Sequence, residues 1–200
     1  MNTPRKRTLL ATASLAVAVV ACGGEDAPPH EGPCWSTSNT AQLAERASPL
    51  DSAMVTLAGE RVRVCYGRPA VREREVMGAL VPFGDAWRLG ANEATSIHLP
   101  FDARLGDLAV PAGDYSLYVV PQADSWTVAV NGVVERWGIP VNADVTAEDV
   151  GTFSVPTEVL EQPVEVLTMR FEEAGPDAAE LVVEWERTRV RIPVQRAAEG

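Results

Sequence analysis

The residues best equipped for chemistry stand close together between positions 67 and 95. Arginines at 68, 72, 74 and 88 share this stretch with an indole at Trp87, an amide at Asn92 and a carboxylate at Glu93. Guanidinium forks suit a carboxylate, a phosphate or the hydroxyls of a sugar. Trp87 offers a flat face for a sugar ring, and Asn92 and Glu93 can fix its hydroxyls. On this account Arg68, Arg74, Trp87, Arg88, Asn92 and Glu93 form a binding loop for a small polar or anionic ligand or a glycan. A catalytic variant makes Glu93 the acid or base of a hydrolase of cell-envelope sugars, beside a second acid such as Asp85, Asp102 or Asp114. A third account, a purely structural partner in an envelope assembly, uses the same residues otherwise. Glu93 then pairs with an arginine of its own loop, Trp87 fills the core, and Gly84 and Gly90 permit turns.

No other stretch competes. The chain has no G-x-S-x-G elbow, no H-E-x-x-H and no glycine-rich phosphate loop. His98 reads as a surface histidine, and His30 lies outside the folded body. Neither makes a metal set with Cys34, so no metal and no cofactor are implied. Trp35, Trp126, Trp137 and Trp185 read as core or rim residues.

The elements that must position the loop are strands, because the dominant hydrophobic period is two. Met54–Leu57 and Arg61–Tyr66 read as a hairpin, followed by strands over Ser96–Leu99, Leu108–Val110, Tyr115–Val120 and Trp126–Val130. Asn131-Gly132 marks a hairpin turn. Leu167, Met169 and Phe171 alternate, then Leu181, Val183 and Trp185. Val190, Ile192 and Val194 follow on the opposite parity, which implies a bulge near Arg187-Thr188. Inside the body helix is hinted only at Val71–Leu80 and Thr146–Val150, and a short helical turn is read around Thr40–Arg46 ahead of it. The expectation is an all-β antiparallel β-sandwich or squat barrel with one long arginine-rich loop and little helix.

The motif run resembles that of a bacterial family, domain of unknown function 2911. The resemblance is carried by Gly67-Arg68-Pro69, Arg74, Gly78, Leu80-Val81-Pro82-Phe83-Gly84 and Trp87-Arg88-x-Gly90-Ala91-Asn92-Glu93-Ala94-Thr95. It continues through Gly113-x-Tyr115-Ser116-Leu117-Tyr118, Pro121, Trp126-Thr127, Asn131 and Trp137-Gly138 to Trp185-Glu186-x-Thr188-Arg189-Val190 and Pro193. It implies a β-rich exported domain, often on lipoproteins, and brings no catalytic residue with it.

The N-terminus points the same way. Arg5, Lys6 and Arg7 precede a thirteen-residue apolar run, Thr8–Val20, too short to span a bilayer. The run closes on Val19-Val20-Ala21-Cys22, which looks like a lipobox, so residues 1–21 read as a lipoprotein signal peptide and Cys22 as the lipidation site. The alternative is an ordinary secreted protein cut nearby. Acyl chains on Cys22 would make the membrane a partner. Gly23 after the cysteine favours the outer membrane, with the body facing the periplasm, by the retention rule of enteric bacteria. Residues 22–50 read as a flexible tether, 51–196 as a single β-sandwich domain and 197–200 as a tail.

Charge and cysteines complete the picture. The formal charge of −11 becomes −14 without the three basic residues of the leader, which argues against nucleic acid as a partner. Cys65 shares the wetter face of its strand with Arg61 and Arg63, where a passing segment carrying Cys34 could reach it. A Cys34–Cys65 disulfide is expected in an exported chain, two unpaired thiols being the alternative.

Overall fold

The computed structural model describes Met1 and residues 33–198, so the leader, Cys22 and the first part of the expected tether lie outside the described residues. Nine strands and two short helices follow in the order α1 (Thr40–Ala44), β1 (Leu50–Leu57), β2 (Glu60–Gly67), β3 (Thr95–Leu99), β4 (Ala103–Leu105), β5 (Leu108–Val110), β6 (Gly113–Pro121), β7 (Ser125–Asn131), α2 (Ala143–Thr146), β8 (Asp149–Gly175) and β9 (Ala178–Arg196). All pairings between these strands are antiparallel, in the spatial order β1-β2-β3-β6-β7-β8-β9-β4-β5.

The two layers share β8. Its first part pairs with β7 as far as Pro156, and from Thr157 onward it pairs with β9. A strand that changes partner at a proline, which cannot donate to a ladder, turns the corner of a sandwich. β1 and β5 remain as edges, so the sheet does not close and the barrel alternative is not realised. Between the layers lie Val62, Val64 and Tyr66 of β2, Leu117 and Val119 of β6, and Trp126, Val128 and Val130 of β7. Leu167 and Met169 of β8 and Leu181, Val183 and Trp185 of β9 complete the contact. These are the alternating positions of each strand, which a period of two directs to one face. On the far side of β8 and β9 a ladder of ion pairs joins Arg170, Arg189 and Arg191 to Glu158, Glu172, Glu180 and Glu184.

Four sequence expectations are corrected. Val71–Leu80 is not helical: Arg72 and Glu73 sit in the left-handed region at φ 49° and 58°, which a helix cannot contain. Thr146–Val150 splits between the end of α2 and the start of β8, which runs far ahead of Leu167. Pro156, Pro163 and the glutamates around them hide its first half from the alternation test. Asn131-Gly132 does not close a tight hairpin. Asn131 is buried and its amide holds a wide excursion, donating to Val145 O at 2.6 Å and Asp149 Oδ1 at 2.7 Å. His98 is buried rather than superficial, because β3 is flanked by β2 and β6; its Nδ1 lies 2.8 Å from Asp114 Oδ1. The parity change in β9 is present, and falls at Glu186, whose φ is 53°. That bulge swings the Glu186 carboxylate onto the backbone N–H groups of Val76 and Met77, at 3.4 and 3.2 Å.

The cysteines form the expected Cys34–Cys65 disulfide. Residues 33–49, read from sequence as tether, are laid against the domain in this way.

Candidate binding site

β2 and β3 are neighbours in the sheet, so the chain from 68 to 94 must leave the sheet edge-on and return beside its start. It does so across the end of the core. Val71 N donates to Glu165 O and Leu167 N to Pro69 O, fastening the outgoing arm to β8. Trp87 exchanges both backbone hydrogen bonds with Val119, at 2.7 and 2.8 Å, like one rung of an extra strand. Its indole stacks on Trp185 at 5.5 Å and meets Trp126 edge-on at 5.7 Å. The returning arm then presses on β2 so closely that a Cβ at Gly67 would overlap the Ala91 carbonyl, which reserves that position for glycine.

This path encloses a cavity of about 400 Å³ bordered by Arg74, Leu80, Trp87, Arg88, Asn92 and Ile139, with Asp85 and Trp185 also on its wall. Arg88 is its distinctive group. The side chain is half-buried, and burial draws its guanidinium below the ordinary arginine range, with Glu93 nearby partly opposing. Nε donates to Gly90 O at 3.2 Å, and among the described residues the Nη groups meet no carboxylate within ion-pair distance. Gly138 abuts the same side chain: a Cβ there would collide with Arg88 Cδ and come within 2.9 Å of Asn92 O. A half-buried cation on the wall of an open hollow has the chemistry to receive an anion.

Of the six residues singled out from sequence, Arg74, Trp87, Arg88 and Asn92 border this cavity and Arg68 and Glu93 do not. Arg68 turns to β1 and β8, pairing with Asp51 Oδ2 at 3.0 Å and donating to Leu167 O at 3.3 Å. Arg74 spends Nε on Val71 O and Nη2 on Ala70 O. Asn92, at φ 66°, donates its amide to Ser48 O at 3.1 Å. Arg72 donates to Ala47 O.

Glu93 is buried at 2% exposure and clasped from outside its loop. Arg46 donates Nη1 to Oε2 at 2.6 Å and Nη2 to Oε1 at 2.7 Å, and Ser36 Oγ donates to Oε1 at 2.6 Å. Burial alone would raise the carboxyl, but these donors outweigh it and hold Glu93 below the usual carboxylate range. The partner is thus an arginine of the N-terminal segment, not of the loop itself. Asp102 and Asp114 lie apart as well: Asp102 accepts from Ala112 N and Asp114 sits on His98. Arg46 carried one legible signal, being the sole lysine or arginine between Arg7 and Arg61.

Two further features adjoin the site. Arg136 donates Nη1 to Trp137 O and Gly138 O, both at 3.2 Å, while its Nε and Nη2 are buried without a partner among the described residues; burial lowers its guanidinium. Tyr118 donates to Asp149 Oδ2 at 2.5 Å, and burial followed by that carboxylate raises its phenol. A hollow of about 600 Å³ also lies under the N-terminal segment, between Trp35, Leu43, Arg63 and Asp114.

Fold and site together define a β-sandwich domain with a pocket bordered by Arg74 and Arg88 of a long loop. The chain belongs to the family described as protein of unknown function (DUF2911), whose model matches residues 48–194. No curated protein and no solved structure matches it.

Proposed function

We propose that this is a lipid-anchored protein of the cell envelope whose domain binds a small anionic ligand in the Arg88 cavity. The observation that carries the binding reading is Arg88 itself: a half-buried guanidinium, bonded through Nε to its own loop, on the wall of a hollow of about 400 Å³. Holding a cation in that state costs desolvation energy that an arriving anion offsets. The hydrolase alternative draws no support from this geometry. Glu93 has both oxygens engaged and lies away from the cavity, so it has neither a proton to give nor a path to a substrate. The anchoring part rests on the basic head, the short apolar run and Cys22.

Two measurements test this. A thermal-shift panel of small carboxylates, phosphates and acidic sugars should contain members that raise the melting temperature of the wild type but not of Arg88→Ala. A panel with no responder, or equal responses in the variant, refutes the binding role. Mass spectrometry of the native protein should find Cys22 as an acylated N-terminus, and an uncut or unacylated chain refutes the anchor.

A further inference from the structure

We propose that the ligand of this cavity is an amphipathic monoanion, one carboxylate carried on an apolar body such as an aromatic ring. This class rests on the reading of Arg88 above and adds the rest of the molecule that Arg88 would hold.

The charge of the walls sets the charge of the guest. Arg74, Arg88 and Asp85 border the cavity, two cations against one anion. Arg74 has already committed Nε and Nη2 to backbone carbonyls, and Arg68 has been drawn away to Asp51. Arg88 is left to meet one negative charge. A second on the same ligand would meet the Asp85 carboxylate, which already offsets one of the two cations on the wall.

The polar inventory argues against a sugar. Recognition of a ring of hydroxyls needs several open donors and acceptors, since each one buried without a partner is penalised. Of the two groups the loop offers for that task, Glu93 is closed and Asn92 has a donor already committed. Asn92 Nδ2 donates to Ser48 O, the Asn92 backbone carbonyl accepts from Gly138 N at 2.8 Å, and Glu93 is closed by Arg46 and Ser36. What the walls offer instead is apolar. The indoles of Trp87 and Trp185 stand behind, and Leu80 and Ile139 border the cavity while remaining 46% and 53% exposed. Large exposed aliphatic side chains beside a half-buried cation match a molecule with a charged head and a greasy body.

The test uses the full chain as Cys22→Ser, so that acylation plays no part, and isothermal titration with four probes. They are indole-3-acetate, its neutral twin indole-3-acetamide, D-glucuronate and pyrophosphate. Indole-3-acetate is expected to bind at least tenfold tighter than each of the others, and at least tenfold weaker to Arg88→Gln. Leu80→Ser and Ile139→Ser, both at exposed positions, should weaken it three- to tenfold without moving the melting temperature. Tighter, Arg88-dependent binding of glucuronate or pyrophosphate would overturn the amphipathic class and leave the anion reading standing. Equal binding of indole-3-acetate and its amide would overturn both, as would silence from all four probes. Should Arg88→Gln fail to fold, the acid–amide pair on the unaltered cavity decides the same question.

Discussion

The Arg46–Glu93 clasp makes the sharpest claim about what holds the loop in place, and Arg46→Ala is the perturbation that isolates it. In the native chain both oxygens of Glu93 are hydrogen-bonded, and the two side chains are 12% and 3% exposed. Removing one partner of a buried pair strands the other's charge and costs about 3–5 kcal/mol. Ser36 would still hold one oxygen, and Arg46 approaches from the solvent side, so about 2–3 kcal/mol is expected here. For a domain of this size that is a fall in melting temperature of roughly 4–12 °C. The pH dependence has a definite sign. Glu93 is held below its ordinary value in the folded protein, so its contribution is complete above the unfolded carboxylate value of about 4.3 and is lost as pH falls through the folded one. The gap between wild type and Arg46→Ala should therefore be full at neutral pH and close in acid. Calorimetric or circular-dichroism melts from neutral pH into acid measure it, with the disulfide kept intact. Melting temperatures that coincide at neutral pH, or a gap that persists undiminished in acid, would refute the reasoning.

Two other expectations follow from close contacts. Gly138→Ala drives a methyl into Arg88 and towards the Asn92 carbonyl, so it should cost about 1–3 kcal/mol and weaken anion binding together. Gly132→Ala, which meets only Glu148 O at 3.5 Å, is the control that should leave binding unchanged in the same titration. Replacing Cys34 and Cys65 by serine opens a loop with a sequence separation of 31 and should remove about 3–4 kcal/mol of stability in urea denaturation.

The strand positions were legible where the residue facing the core is large and apolar at every second place, as in β2, β6 and β7, even though parts of their other face are buried as well. Legibility failed where the backbone, not the side-chain pattern, decides. Arg72, Glu73 and Glu186 adopt positive φ without being glycine, and nothing in their types announces it. The loop stood out as the chemical centre by composition alone, and Trp87, Arg88 and Asn92 do border one cavity. Glu93 and Arg68 sit elsewhere because their partners, Arg46 and Asp51, are distant in sequence and no local spacing encodes the pairing. Ile139 was passed over for the same reason: the wide excursion between β7 and β8 brings it to the Arg88 loop from far along the chain.

The sulfur bridge to β2 has a mechanical corollary. A force pulling on the chain ahead of position 34 does not peel the edge strand β1 away one rung at a time. Load passes covalently at Cys34 into Cys65, on a strand held by neighbours on both sides, and bypasses everything in between. Under tension the domain is hung from its interior, and the arm that carries Arg46 and Ser48 stays slack.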